Sequence, residues 1–535
     1  LEGEIPVKVL VADPISEEGL VLFNEEPEIT VDVKTGLKEE EILPIINEYD
    51  ALIVRSQTQV TEAIIKAGTK LKVIGRAGVG LDNIDVPAAT RQGIIVMNVP
   101  GGNTISTAEH SMAMLLSMTR NIPQAFASLK AGKWDRKTFT GAELMRKKLG
   151  VIGLGRIGRE VAKRAEAFGM EIMGYDPFVT MERAEQLGVK LFELDEIIAK
   201  ADYITVHVPL TKETRGMFGE KQFAMMKKGV RLINCARGGI YDEKALYENL
   251  KSGKVAAAAF DVFDPEPPSP DNPLFTLNNF IATPHLGAAT KEAQVQVAID
   301  MCQQIIDTLQ GKMVRNACNI PSVDPEVLSR ISPYLTLAEK LGRFQSQVNE
   351  SRIEEIHVRY SGEVTNYNVA PISVAVLKGY LEPILQSSIN YVNAPFIAKE
   401  RGLRMVESKS SDTEDYASMI TVTVKCKEHE RIVSGTLFGK KETRIVRIDD
   451  YRLDCIPSGF ILVLMNEDVP GIVGHVGTVL AEHKINIAGM ALGRLEKGGK
   501  ALTALNVDED VEDNVLADLK KLPHILEAKV VDLGK

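Results

Sequence analysis

The sequence predicts an α/β protein in which two doubly wound parallel-sheet lobes precede an α+β domain and a small βαββαβ module. Three observations carry this. Short apolar runs alternate with helix-period segments from the start of the chain to about residue 318. A glycine-rich turn, Gly153-Leu-Gly155-Arg156-Ile157-Gly158, separates two of these runs. From about Asn319 the pattern changes to mixed helical and strand-like segments, and residues 458–535 spell a complete βαββαβ order.

In the first lobe, residues 7–12, 51–54 and 71–75 read as short buried strands, with helical stretches at 39–47 and 61–67. Residues 104–130 predict one long helix whose segment 107–116 faces a core. The run 149–152 is a strand, 159–168 a helix, and 171–175 a second strand closed by Asp176. In such a unit the first glycine allows the turn and the second lets a pyrophosphate approach the backbone. The third lets helix pack on strand, while the helix N-terminus holds phosphate. Asp176 follows Gly158 by 18 residues, near the roughly 20 expected for a carboxylate on the adenosine ribose. Pro177 and Phe178 come next and offer no basic group to a 2′-phosphate, which favours NAD over NADP. A lone glycine turn before a buried helix can look the same; the flanking strands and the acid decide for a Rossmann-type cofactor domain.

Further strands at 201–208, 230–234, 256–262 and 280–282 complete a six-strand-like sheet, and a helix at 291–310 returns the chain to the first lobe. The expected domains are 1–98 with 294–318, then 99–293, 319–457 and 458–535. In the third, 334–347 and 371–387 read as helices, 353–360, 419–424 and 445–448 as strands, and 408–415 as an exposed loop. It carries no chemical motif. The last module reads as strand 459–465, helix 470–483, strand 485–492, hairpin 496–500, strand 501–507, helix 511–521 and strand 525–531, a ferredoxin-like order.

A formal charge of −10 makes nucleic acid an unsuitable general partner, so an anionic substrate must be drawn by local arginines. Five scattered cysteines without a CxxC pair predict reduced, cytoplasmic thiols and no structural zinc. The first residues alternate charged and apolar, so no signal peptide is expected, and no apolar run reaches the roughly 18–20 residues of a membrane span. The chain begins at Leu1, so a trimmed or altered start is expected.

Three polar residues follow later strands: Arg237 in Asn234-Cys235-Ala236-Arg237-Gly-Gly, Glu266 in Asp261-Val-Phe-Asp-Pro-Glu266-Pro, and His285 in Thr283-Pro-His285-Leu-Gly287. Loops at the carboxyl ends of parallel strands line the ligand crevice. An arginine there can hold a carboxylate and polarise a carbonyl. A histidine can take a hydroxyl proton as hydride leaves, and a glutamate can orient the imidazole and raise its pKa. Singly, each has a plainer reading as a packing loop, a proline turn or a surface turn. Their joint position after a dinucleotide fingerprint selects the catalytic one.

These segments resemble the signatures of the D-isomer-specific 2-hydroxyacid dehydrogenases. The similarity extends to Ile53-Val-Arg55-Ser56, Gly75-Arg76-Ala-Gly78-Val79-Gly80-Leu-Asp82-Asn83, Asn98-Val-Pro-Gly-Gly-Asn103 and Gly132-Lys-Trp134. Within the family the chain is similar to the long-form branch that oxidises 3-phosphoglycerate to 3-phosphohydroxypyruvate, the first step of phosphorylated L-serine biosynthesis. Resemblance implies a flavodoxin-like substrate domain, an NAD domain, an intervening domain and a C-terminal ACT domain, in a homo-oligomer, usually a tetramer. It implies Arg237, Glu266 and His285 as the catalytic set. It also places Arg55, Ser56, Gly78, Val79, Asn103, Arg237 and His285 at the substrate; Arg76 ends a strand-like run where a cleft would be lined and is a further candidate for the phosphate, with a structural ion pair as the alternative. The implied NAD contacts are Gly153, Gly155, Arg156, Ile157, Gly158, Asp176, Pro177, His207, Pro209, Cys235, Ala236, Arg237, Asp261, His285, Gly287 and Ala288. Asn466, Asp468 and Asn486 match positions that bind L-serine across an ACT dimer; the alternative is that this module only dimerises. No metal is expected, and His429 reads as part of a solvated loop. Two other readings stay open: a dehydrogenase of glycerate, lactate, glyoxylate or 2-oxoglutarate, and an NADH-sensing corepressor-like binding protein.

Overall fold

The computed structural model describes residues 7–312, 314–321, 325–349, 351–385, 389–412, 415–427 and 429–534. Strands β1 (Val7–Val11), β2 (Ile29–Val33), β3 (Ala51–Val54), β4 (Val73–Arg76) and β5 (Ile95–Met97) form a parallel sheet ordered β2-β1-β3-β4-β5. That is the flavodoxin-like order. Of these, β2 and β5 escape the sequence pattern: β2 is a half-exposed edge and β5 only three residues long. The helix Lys291–Leu309 packs Val297, Met301, Cys302, Ile305 and Ile306 against β1, β3 and β4, so the chain does return to its first lobe.

The second sheet holds β6 (Lys148–Ile152), β7 (Glu171–Tyr175), β8 (Lys190–Leu191), β9 (Tyr203–Val206), β10 (Val230–Asn234), β11 (Val255–Phe260) and β12 (Phe280–Ala282). Its order is β12-β11-β10-β9-β6-β7-β8, parallel throughout. The six expected strands are present, and the seventh, β8, is a two-residue edge too short to leave a periodicity. Because β6 lies between β7 and β9, the order in which strands are added reverses there, and it is beyond the carboxyl ends at such a switch point that open parallel sheets bind ligands. Gly153, His207, Arg237, Glu266 and His285 all follow carboxyl ends of these strands.

The long helix expected over 104–130 is two helices, Thr104–Thr119 and Ile122–Lys130. Pro123 removes an N–H and its ring clashes with the carbonyl one turn back. The chain breaks at Asn121, whose φ of 52° is left-handed, a conformation asparagine tolerates.

The third sheet is mixed: β13 (Ile353–Gly362), β14 (Arg404–Ser410), β15 (Ser418–Cys426), β16 (Glu430–Phe438), β17 (Glu442–Ile448) and β18 (Tyr451–Cys455). Its order is β14-β13-β15-β16-β17-β18, with only β13 and β14 parallel. Residues 408–410, expected in a loop, form the end of edge strand β14, where Ser and Lys alternate without an apolar face. Residues 413–414 of that loop, and 386–387 of the expected helix, lie outside the described residues. Two helices, Pro325–Val348 and Ala370–Leu385, cross backbone to backbone. A Cβ on Gly379 would come within 1.9 Å of the Glu339 carbonyl oxygen.

The last sheet contains β19 (Phe460–Glu467), β20 (Ile487–Arg494), β21 (Lys500–Val507) and β22 (Ile525–Asp532) in antiparallel order β20-β21-β19-β22. With helices Ile472–Glu482 and Asp513–Lys521 this is the expected βαββαβ module. Ile461, Leu502, Ala504 and Val531 join the core of the preceding domain, so the two share a buried face. Among the described residues no helix is long and apolar enough to cross a membrane.

Candidate active site

Each glycine of the fingerprint has a different physical reason to be glycine. Gly153 adopts φ 95°, and a Cβ there would sit 2.6 Å from the His207 carbonyl oxygen. On Gly158 a Cβ would lie 1.9 Å from the Gly153 carbonyl oxygen, so helix Arg156–Ala167 can pack on the turn only without a side chain. Gly155, the N-cap, faces open space, which leaves its backbone approachable. Asp176 accepts the Leu154 N–H (2.9 Å) and the Phe178 N–H (2.9 Å), which fixes its carboxylate beside the turn. Pro177 and Phe178 are exposed. The Arg156 guanidinium lies next to Gly101 in the linker between the lobes, and Ile157 packs into the core. His207 Nε2 meets Thr205 Oγ1 at 2.9 Å, and burial pushes its pKa down to about 4, so it is neutral at physiological pH. Pro209 continues this loop and accepts a bond from Thr214 Oγ1 on its carbonyl. Burial raises the Cys235 thiol to about 12, so it is not a reactive thiolate near neutrality.

The three strand-end residues converge. His285 Nδ1 lies 2.8 Å from Glu266 Oε2, while Glu266 Oε1 accepts the Phe263 N–H (3.0 Å). The hydrogen bond to Glu266 outweighs burial and raises the His285 pKa. Burial alone would raise the Glu266 carboxyl, but His285, the Phe263 N–H and the Arg237 charge hold it below the usual range. An ionised Glu266 only accepts, so Nδ1 carries the hydrogen and Nε2 is free to take a proton. Arg237 is set by Asn234, whose Nδ2 donates to the Arg237 carbonyl (2.8 Å) and whose Oδ1 accepts the Ala236 N–H (3.0 Å). Its guanidinium reaches across to the first lobe, 3.3 Å from Asp82. Gly80 makes room for it: a Cβ there would sit 2.3 Å from an Arg237 terminal nitrogen.

The first lobe supplies the opposite wall. Buried Asp13 accepts backbone N–H groups of Arg55 (2.6 Å), Gln57 (3.2 Å) and Thr58, and Asn83 Nδ2 donates to the Arg55 and Thr58 carbonyls. This holds the turn that presents Arg55 and exposed Ser56. Arg76 runs beneath Gly78, where a Cβ would sit 2.1 Å from its guanidinium. Burial first, then the neighbouring Arg237 charge, pushes the Arg76 pKa down to about 10. The alternative of a structural ion pair is not what the structure contains: among the described residues Arg76 has none within 4 Å, and its Nε is buried without a partner. Val79 accepts Asn98 Nδ2 on its carbonyl (2.6 Å). Asn103 caps helix Thr104–Thr119, and its Oδ1 is buried without a partner.

The chain is similar to known proteins over nearly its whole length. A family model described as D-isomer specific 2-hydroxyacid dehydrogenase, NAD binding domain matches residues 112–287. Models for the D-3-phosphoglycerate dehydrogenase intervening domain and the ACT domain match 330–449 and 460–524. The D-3-phosphoglycerate dehydrogenase of Archaeoglobus fulgidus is 49% identical over 98% of this chain and 100% of its own length. The chain belongs to the D-3-phosphoglycerate dehydrogenase family. The Bacillus subtilis member is 44% identical over 98% of this chain and 99% of its own. Among solved structures, D-lactate dehydrogenase from Aquifex aeolicus, complexed with NAD and lactic acid, aligns with TM-score 0.53 and 28% identity. It covers 59% of this chain and 100% of that one. The TT0316 protein from Thermus thermophilus aligns with TM-score 0.55 and 32% identity over 58% and 100%. The chain is an NAD-dependent dehydrogenase with the family's three-part organisation.

Beyond the strand-end trio, the structure adds residues that the sequence reading of this phosphoglycerate dehydrogenase family member passed over. Asp13, Thr107 and His110 carry no motif of their own; each is recognisable only from what it bonds. Asp261, expected at the cofactor, is 1% exposed, accepts hydrogen bonds from Thr283, Leu286 (2.8 Å) and Gly287 (2.8 Å), and lies 3.1 Å from His110 Nε2. It organises the His285 loop, in which Gly287 is buried and Ala288 half-buried. In the ACT module the three effector positions do not meet within one chain. Asn466 pairs across the sheet with Ala501, whereas Asn486 precedes the opposite end, where Ile487 pairs with Val507. Asn466 is buried, Asp468 is bound by Arg494 (2.7 Å) and the Gly498 N–H (3.1 Å), and Asn486 donates to Asp508 (2.7 Å). His429 lies exposed in the turn between β15 and β16, and no metal-holding cluster occurs among the described residues.

Proposed function

We propose that this chain oxidises 3-phospho-D-glycerate to 3-phosphohydroxypyruvate with NAD, the first step of phosphorylated L-serine biosynthesis, in the cytoplasm. What supports it is the proximity of the Glu266–His285 pair to Arg237, and of Arg237 and Arg55 to Arg76, three cationic groups drawn from both lobes. A substrate with a carboxylate and a phosphate needs that concentration of cationic donors in a protein whose formal charge is −10.

The residues present suit the cofactor. Gly155 leaves a backbone surface open, the helix behind it directs free N–H groups outward, and Asp176 stands where a ribose would be gripped. NAD, when bound, supplies the hydride acceptor. Arg237 holds the substrate carboxylate and polarises the C2 oxygen. His285 Nε2 takes the C2 hydroxyl proton as the hydride leaves C2, and Glu266 stabilises the imidazolium that forms. Arg55 and Arg76 hold the phosphate and exclude an uncharged C3 group by the cost of leaving their charges unmatched. His207, neutral, lines the cofactor side without taking part in proton transfer.

The domain division that fits this reading is 1–98 with 294–318 for substrate, 99–293 for NAD, then the intervening and ACT domains. We propose a homo-oligomer, because helix Ile122–Lys130 buries none of its side chains and Phe126 and Trp134 are 62% and 80% exposed. L-Serine is the proposed effector, bound where two ACT modules bring the Asp468 end of one sheet to the Asn486 end of another.

The test is NADH consumption with 3-phosphohydroxypyruvate beside hydroxypyruvate, glyoxylate, pyruvate and 2-oxoglutarate, each with and without L-serine. Preference for the phosphorylated keto acid, suppressed by serine, is expected. Preference for an unphosphorylated acid would overturn the substrate; preference without suppression would leave the ACT module as an assembly element.

A further inference from the structure

Helix Thr104–Thr119 turns two polar side chains, one turn apart, onto the loop that carries His285. Thr107 Oγ1 donates to the Gly287 carbonyl (3.1 Å). His110 Nε2 lies 3.1 Å from Asp261 Oδ1 and 3.2 Å from Thr283 Oγ1. Asp261 in turn holds the loop from both its ends. Its backbone carbonyl accepts the His285 N–H (2.9 Å), Oδ1 accepts the Leu286 N–H and Oδ2 the Gly287 N–H, both at 2.8 Å.

This fastening has a conformational purpose. His285 sits at φ 54°, in the left-handed region, where a residue with a side chain stays only when its surroundings over-determine it. The His285 N–H ends on the backbone carbonyls of Asp261 and Thr283, and the next two N–H groups end on the Asp261 carboxylate, so the orientation of that carboxylate fixes the backbone immediately after the residue whose imidazole projects to Glu266. A carboxylate rotates about its Cβ–Cγ bond unless donors fix it. Thr283 Oγ1 donates to Oδ1, His110 Nε2 lies beside both that oxygen and the Thr283 hydroxyl, and only His110 comes from a rigid element outside the loop. The neighbours of His110 on this helix, Met112, Met114 and Leu115, fill the core with apolar atoms, so a buried polar pair here serves something other than packing. The helix also begins just after Asn103, shortly beyond the last strand of the first sheet, so the fastening ties the base to the segment that leaves the first lobe.

We infer that His110 is a positioning residue for the catalytic base: through Asp261 it holds the His285 backbone in the one conformation that aligns the imidazole with Glu266, with Thr107 as a second tether. The inference rests on His285 being the base, as proposed above.

The experiment compares wild type with His110→Ala, His110→Gln, Thr107→Val and His285→Asn. It measures kcat, KM for 3-phosphoglycerate, NADH affinity by fluorescence and the pH profile of kcat/KM. His110→Ala should lower kcat about tenfold or more, the scale of a small misplacement of a reacting group. NADH affinity should stay within about twofold, and the acid-limb midpoint should move to lower pH, because His285 loses part of the Glu266 contact that raises its pKa. His110→Gln, which keeps a donor near the Nε2 position, should recover both turnover and midpoint. Thr107→Val should move the midpoint in the same direction by less, and it decides the matter if His110→Ala does not fold. Wild-type kinetics in His110→Ala, or a loss that His110→Gln does not relieve and that leaves the midpoint unmoved, overturns the inference. Full turnover in His285→Asn overturns instead the assignment of the base on which it rests.

Discussion

Replacing Glu266 by Gln removes one charge from the catalytic pair and little volume. Its Oε2 stands 2.8 Å from His285 Nδ1, and a Gln side-chain oxygen can still accept that hydrogen. What is lost is the charge assistance, which roughly doubles the strength of such a bond, or about 1–1.5 kcal/mol. The His285 and Glu266 side chains are 50% and 36% exposed, so water screens part of this and the lower end of that range applies. The His285 pKa should therefore fall from its raised position. The sign follows from the roles. Oxidation needs neutral His285, and its rate rises as pH passes the raised pKa of that residue; removing the cause of the rise moves the acid limb to lower pH. Reduction needs the imidazolium, so its alkaline limb should move the same way. Maximal oxidation should also fall about tenfold, since the developing imidazolium loses its counter-charge. Stopped-flow and steady-state pH profiles in both directions would show this. A limb that stays in place or moves to higher pH would refute the pairing as the source of the raised pKa.

Other expectations concern separate parts of the molecule. Gly158→Ala places a methyl 1.9 Å from a backbone oxygen, so a destabilisation of about 3 kcal/mol or more, with loss of NADH binding, should appear in thermal scans and fluorescence titration. Asp176→Ala should weaken NAD at least about tenfold in calorimetry, the worth of a charged hydrogen bond, and change the substrate KM by less than about twofold. Arg76→Met should raise the KM for the phosphorylated keto acid by about 10–100-fold and leave the small activity with hydroxypyruvate nearly unchanged. Asp468→Ala should abolish serine inhibition without altering uninhibited kcat; inhibition that persists would place the effector elsewhere, including the intervening domain.

Much of this was legible in the sequence where local chemistry and function coincide. Gly153 and Gly158 must be glycine for reasons written in the βαβ pattern, and Arg237, Glu266 and His285 each follow a strong apolar run, so their place at strand ends could be read directly. Strands such as β8 and β5 were not legible because two or three residues carry no period. The break at Asn121 was missed because the apolar spacing runs on through Pro123, while the backbone cannot. The end of strand β14, residues 408–410, has no apolar side chain and so looks like a loop. Asp13, Thr107 and His110 were invisible for a different reason: their partners lie 42 to 180 residues away in sequence. The ACT positions, which the resemblance already assigns to a site across a dimer, lie at opposite ends of the sheet within one module.

The most direct test of the central claim is the structure of the ternary complex with NAD and 3-phosphoglycerate. The account predicts the ribose on Asp176, the substrate carboxylate on Arg237, the C2 hydroxyl at His285 Nε2, and the phosphate against Arg55 and Arg76. A substrate seated away from the arginines, or with its C2 hydroxyl out of reach of His285, would contradict it.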